Sequence, residues 1–213
     1  RRYCIVDVMN PSDFTRIAKA PLANPVSIRW LGVAGYELVA EGVTLLIDPY
    51  ITRVSLRQFL WSRLQPDHAR IAAALPRADG IIVTHTHFDH AMDVPSIARR
   101  TGAGVWGSES LANLLRATGV PEAQIHPCRG REQFEVGPFR VRLVPSQHSR
   151  FGLGGKVPFS GEIPCSCDIP MRGRDYRCGQ VFGIAIEVSG QTIYHCGSAD
   201  LLDDEITESD VDL

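Results

Sequence analysis

The chain has 213 residues, 44% of them hydrophobic and 22% charged, with a formal net charge of -2. That length suits one well-cored domain rather than two small ones, and the composition excludes a disordered chain. The balanced charge supplies no global basic field for nucleic acid, no stretch approaches the roughly 18 apolar residues of a membrane span, and the first residues lack a long apolar signal core.

A cytoplasmic protein with no nucleic-acid partner is therefore expected. Six cysteines, at 4, 128, 165, 167, 178 and 196, are scattered through a chain too large to need staples, so reduced thiols are the expectation.

Residues 1–25 carry three prolines and no sustained period, and read as an irregular arm with a short helix at 13–19. Residues 26–31 alternate like a strand. Residues 36–40 and 43–47 then form a hairpin turning at Glu41-Gly42, closed by Asp48-Pro49. The stretch 66–75 favours a helix, and Gly80 to Thr84 is a short β-branched run of the kind found in buried strands.

Residues 95–100 and 108–118 read as helices, the second capped by Ser108 and ended by Gly119, with a strand at 104–106 between them. Residues 139–144 alternate arginine with apolar side chains and run into Pro145-Ser146-Gln147-His148. The glycine-, proline- and arginine-rich stretch 149–180 suits a long functional loop, inserted in a domain spanning 26–213. A last hairpin, 181–188 and 191–196, delivers Gly197-Ser198-Ala199-Asp200. Strands first, helices between later strands and polar residues where strands run out define an α/β layered architecture.

The chemistry concentrates in Thr84-His85-Thr86-His87-Phe88-Asp89-His90, where three histidines and an aspartate fall within six positions straight after a buried strand. In extended backbone, side chains two apart point the same way, so His85 and His87 converge on one cation while Asp89 and His90 reach a neighbouring position. A solvated histidine-rich loop is the plainer reading of any single member. Burying four such groups together without a metal would leave large desolvation costs uncompensated.

The THTHFDH run resembles the HxHxDH signature of the metallo-β-lactamase superfamily. Residues 28–50 are similar to the superfamily's opening hairpins and LIDP element, VPSQHS to its third-histidine segment, and HCGSAD to the strand end that supplies a bridging aspartate. Among its members, the broad-specificity lactonase-like and phosphodiesterase-like hydrolases are the nearest in flavour.

The resemblance implies an αββα sandwich in which His85, His87 and His148 hold a first metal, Asp89 and His90 hold a second, and Asp200 bridges the two. Ser198 and Ala199 separate Gly197 from Asp200, where the family writes Gly-Asp. The family also places a further histidine well beyond that aspartate. Here no histidine follows His195, so the C-terminal half of the fold is expected to be incomplete in this chain.

Zinc is the implied metal, as two ions if a longer chain supplies the last histidine, with manganese or iron as alternatives. The implied reaction is hydrolysis of an ester, lactone, amide or phosphodiester by a metal-activated hydroxide, with Asp89 orienting it or shuttling its proton. Two other classes stay open: a non-catalytic metal-binding or interaction protein, and an iron-bearing oxidoreductase on the same fold.

Lys156, Arg172, Arg174 and Arg177 could clamp an anionic small-molecule substrate or simply be solvated. Cys165, Cys167 and Cys178 lack the paired spacing of a zinc site, so free thiols are the simpler reading. His68 and His126 read as structural, Asp48 as a backbone-bonding turn residue, and His195 as a neighbour that hydrogen-bonds near the site.

Overall fold

A computed structural model of the chain describes residues 25–150 and 155–200, the last two by backbone alone. The expected helix at 13–19, and the arm around it up to residue 24, lie outside the described residues.

One sheet has six strands in sequence order: β1 (Ser27–Gly32), β2 (Gly35–Ala40), β3 (Val43–Ile47), β4 (Gly80–Ile82), β5 (Gly104–Gly107) and β6 (Ile125–Pro127). The first three pair antiparallel, and β3 to β6 run parallel. The β2–β3 turn puts both Glu41 and Gly42 at positive φ, the twist that a two-residue hairpin needs. Parallel neighbours require crossovers, and α4 (Val94–Thr101) and α5 (Glu109–Ala117) lie in those from β4 to β5 and from β5 to β6.

The sequence explains both helices. In α4, Val94, Ile97 and Ala98 are buried and Arg99 and Arg100 exposed, and Gly102 ends it in the left-handed region. In α5, the Ser108 hydroxyl accepts from Leu111 N while Leu111, Leu114 and Leu115 face inward.

The second sheet is antiparallel, in the order β10 (Gln191–His195), β9 (Val181–Val188), β8 (Phe139–His148), β11 (Ala199–Asp200), with β7 (Gln133–Val136) also on β8. The two sheets pack face to face. Strand alternation sorts side chains between two cores: Leu45, Ile47 and Ile82 meet Phe139, Leu143, Phe182 and Ile184 between the sheets. Leu46, Ile81 and Val83 point the other way, into the helices. Phe139 and Phe182 are fully buried there, each burial favouring the fold by roughly 1.5–3 kcal/mol.

The described layers are thus helix, sheet and sheet, three of the four layers of the αββα sandwich expected from the sequence. Among the described residues, the expected loop at 149–180 contains a single 3-10 turn, Gly173–Asp175, and no other helix. No helix of the described residues is long and apolar enough to cross a membrane.

Two shorter helices went unread in the sequence, α1 (Leu56–Trp61) and α3 (Phe88–Ala91), while α2 (His68–Ala74) falls within the expected stretch. Strand ends converge at one edge. There Asp48 N donates to Ile82 O at 3.0 Å and Phe182 N to Thr84 O at 2.9 Å, tying the ends of β3, β4 and β9 together.

Candidate metal centre

After β4 the chain stays extended through Thr84 to His87, which serves as the N-cap of α3 with φ -62° and ψ 153°. That geometry points His85 and His87 to one side, and the end of β8 brings His148 in from the second sheet. One ligand-type nitrogen from each of these three buried histidines lies within 4.8 Å of the other two.

The hydrogen bonds around the triad fix its protonation. His87 Nε2 donates to Pro158 O at 2.9 Å and His148 Nδ1 donates to Ser149 O at 2.7 Å. Thr84 Oγ1 donates to Asp48 Oδ2 at 2.6 Å, so toward His85 Nδ1, 3.2 Å away, it acts as acceptor. The network thus puts the protons of His85 and His87 on their outer nitrogens, Nδ1 and Nε2, and leaves His85 Nε2 and His87 Nδ1 bare.

As a result His85 Nε2 and His87 Nδ1 face each other at 3.0 Å with two lone pairs and no proton between them. Burial, together with neighbouring imidazoles, pushes His85 well below the ordinary histidine value and His87 down to about 4, so a bridging proton is disfavoured. A divalent cation is the partner this donor set fits.

The same shifts carry a pH dependence for the metal-free protein. Unfolded histidines take up protons near pH 6.5, whereas folded His87 stays neutral to about 4, so the unfolded state binds more protons in that window and stability falls with pH. His90 is raised, and its contribution is lost only as pH rises above the unfolded value; Asp48 is depressed, and its contribution fades only below the ordinary carboxylate range. Chelator-treated protein is therefore expected to be roughly 3 kcal/mol less stable near pH 4 than near pH 7 from His87 alone. Urea unfolding at both values checks this, and equal stabilities would mean that the rings are not held neutral.

Beneath the triad lies Asp48, fully buried and at φ 43°, a backbone conformation that aspartate tolerates better than most residues. Its carboxylate accepts from Thr84 N at 2.7 Å and from Thr84 Oγ1, while Oδ2 lies 2.8 Å from His90 Nδ1 and 3.6 Å from His195 Nε2. The His90 contact is off the line of a hydrogen bond, and the His195 contact is too long for one.

Burial works against an ionised Asp48, yet His90 and His195 hold it well below the usual carboxylate range. Burial likewise disfavours charge on His90, and Asp48 outweighs it and raises His90. Asp48 thus does more than bond the turn backbone: through Thr84 it reaches His85, and directly it faces His90.

Asp89 opens α3 beside the triad with 31% of its side chain exposed, and its Oδ2 is 4.0 Å from His90 Nε2. The backbone pairs Asp200 with Gln147 and Ala199 with His148, which places Asp200 next in chain to the partner of a triad histidine. His68 Nδ1 is hydrogen-bonded to Ser96 Oγ at 2.7 Å and His126 stacks on Trp106, away from the cluster.

The cysteines Cys165, Cys167 and Cys178 are free thiols, and no metal-type cluster among the described residues includes them. Arg172, Arg174 and Arg177 are exposed, Arg177 donating to Ser160 O and Arg174 lying 3.9 Å from Asp175. Sequence reasoning missed Pro158, whose carbonyl orients His87; its only signal was its place in the loop.

A helix–sheet–sheet sandwich with a histidine triad where strands end defines the metallo-β-lactamase class. The chain belongs to that superfamily: residues 44–210 match the model of the beta-lactamase superfamily domain. It is 31% identical over 188 residues to a UPF0173 metal-dependent hydrolase of Carboxydothermus hydrogenoformans, covering 88% of this chain and 68% of the relative. A second, from Myxococcus xanthus, is 29% identical over 185 residues, covering 84% and 55%. The chain thus spans between about half and two thirds of these relatives' lengths.

Two solved structures share the fold. Igni18, a metallo hydrolase of Ignicoccus hospitalis, superposes with a TM-score of 0.54 at 20% identity, covering 84% of this chain and 63% of that one. CmlA, a diiron β-hydroxylase of Streptomyces venezuelae, does so with 0.51 at 19% identity, covering 84% and 30%.

Proposed function

We propose that this chain is a metal-dependent hydrolase domain in which His85, His87 and His148 hold the first ion, and Asp89, His90 and Asp200 contribute to a second. The observation that carries the reading is the cluster of three buried histidines from two sheets, each with a ligand-type nitrogen within 4.8 Å of the other two. The relatives named as metal-dependent hydrolases support it.

A bound divalent cation supplies Lewis acidity to a carbonyl or phosphoryl oxygen and brings the ionisation of water toward neutral pH. The chain's own residues do the rest. Asp89, partly exposed at the mouth, orients the attacking water and holds its proton. Pro158 O, Ser149 O and Thr84 Oγ1 fix the triad rings, and the His90 ring lies between Asp48, 2.8 Å from Nδ1, and Asp89, 4.0 Å from Nε2. The scissile bond is an ester, lactone, amide or phosphodiester.

A second reading is an iron-bearing oxidoreductase, favoured by the donor set, since neutral imidazoles also suit iron, and by the diiron enzyme among the fold neighbours.

The test is elemental analysis of the purified protein, followed by chelation and separate reloading with zinc, manganese and iron. Turnover is then assayed on a nitrophenyl ester, a lactone, an amide and a phosphodiester. Chelation is expected to abolish hydrolysis of at least one substrate and zinc or manganese to restore it. Iron-dependent redox turnover alone would favour the second reading. Metal uptake with no turnover would favour a binding protein, and no stoichiometric uptake would end both catalytic readings.

A further inference from the structure

Phe159 stands in a left-handed backbone conformation, φ 46°, that bulky side chains rarely adopt. It is held there on every side. Pro158 O accepts from His87 Nε2 at 2.9 Å, Phe159 O from Cys178 N at 2.8 Å, Ser160 O from Arg177 Nη1 at 3.2 Å, and Gly161 O from Gly179 N at 2.9 Å. Four successive carbonyls are thus pinned, and the first is pinned by a triad histidine. Strain that is over-determined in this way is characteristic of ligand clamps.

What the strain achieves is the placement of an aromatic ring at the site. Phe159 remains 39% exposed, with its ring centroid 6.3 Å from that of His87, edge to face. It continues into Phe59 at 5.9 Å, which meets Phe88 at 5.0 Å.

Phe59 comes from α1, a helix with no buried residue, and shares its face with Leu56 and Leu60 at the i, i+3, i+4 spacing. Those leucines are 73% and 54% exposed. A helix that buries nothing and shows leucines beside this ring series is poorly explained by folding alone. It is explained if an apolar ligand group lies along it.

Resting on the hydrolase reading above, we infer that Phe159, Phe59, Leu56 and Leu60 form a specificity wall for an apolar substituent carried by the scissile group, starting beside His87 and running out along α1. The wall selects substrates by apolar length, and the triad end handles the polar reacting group.

The experiment uses cobalt-loaded protein titrated with acetate, butanoate and hexanoate, whose carboxylate seeks the metal and whose tail samples the wall. Binding is read by calorimetry and by the cobalt visible spectrum. In the unmodified protein the dissociation constant is expected to fall roughly threefold to fourfold for each methylene that reaches the wall. Phe159→Ala is expected to cut the preference for hexanoate over acetate by about tenfold or more. Phe159→Leu should retain most of that preference, and Phe59→Ala should weaken it from the other side, which keeps the test decisive if Phe159→Ala folds poorly.

Cobalt uptake with a flat series, or a preference unchanged in all three variants, overturns the wall alone. Absence of cobalt uptake overturns the hydrolase reading and the wall with it.

Discussion

Replacing His87 with alanine is expected to abolish stoichiometric metal uptake and to lower hydrolytic turnover by on the order of a thousandfold or more, while leaving the metal-free fold in place. The two halves of that expectation have different physical sources. His87 supplies one of three clustered ligand nitrogens, and a two-imidazole remnant does not make the closed donor set that a transition ion needs. Removing the ring also removes the lone-pair opposition with His85 at 3.0 Å. Its loss costs the metal-free protein only a hydrogen bond to Pro158 O and a modest contact area.

The measurement that separates these effects is thermal unfolding with and without zinc. The unmodified protein should gain stability with added ion, because a ligand that binds only the native state stabilises it by mass action. The variant should melt near the metal-free parent and show no gain. A variant that still takes up one equivalent with undiminished affinity would show that the triad is not the site.

Asp48→Asn is expected to be the most destabilising polar substitution near the site, by about 3–5 kcal/mol. Asparagine also tolerates the left-handed region, so the change leaves the φ of 43° affordable and isolates the loss of charge. The amide can still accept from Thr84 N. Its other end then presents an NH2 to Thr84 Oγ1, His90 Nδ1 and His195 Nε2, three groups that had faced a carboxylate oxygen.

The effect should reach the metal as well, since residues that orient ligands through a hydrogen bond are commonly worth tenfold to a hundredfold in affinity. Urea unfolding of the metal-free variant gives the first number, and competition for zinc with a chromophoric chelator gives the second. Stability within about 1 kcal/mol of the parent would mean that the buried carboxylate is not the hub its contacts indicate.

Much of this site was legible in the sequence because its signals are local. The HxHxDH run follows a short β-branched strand, and alternate residues of extended backbone must share a side, so His85 and His87 were bound to converge. His148 was readable for the same reason, as the residue where an alternating strand ends. The α5 helix announced itself through Ser108, its leucine stripe and Gly119.

Other features are products of tertiary structure. Asp48 looked like a turn residue because its imidazole neighbours, His90 and His195, come from a different helix and the last hairpin. Pro158 and Phe159 sit in a stretch read as a functional loop, but nothing in its composition marks which carbonyl meets His87.

The helix α1 escaped notice because a six-residue segment that buries nothing carries no apolar period matched to the core. Its capping box, Ser55 with Gln58, was the available sign. The strand β6 ends on a proline at the sheet's edge, where ladder donors are dispensable, and such edge strands read poorly.

The triad draws His85 and His87 from the margin of one sheet and His148 from the margin of the other. An ion there would act as a rivet across the seam of the sandwich, so its capture is a property of the assembled tertiary structure and not of either half. Helices and hairpins could all be in place on both sides while the rivet hole stayed out of register by a few ångströms. Occupancy is then a sharper gauge of complete closure than any measure of secondary structure.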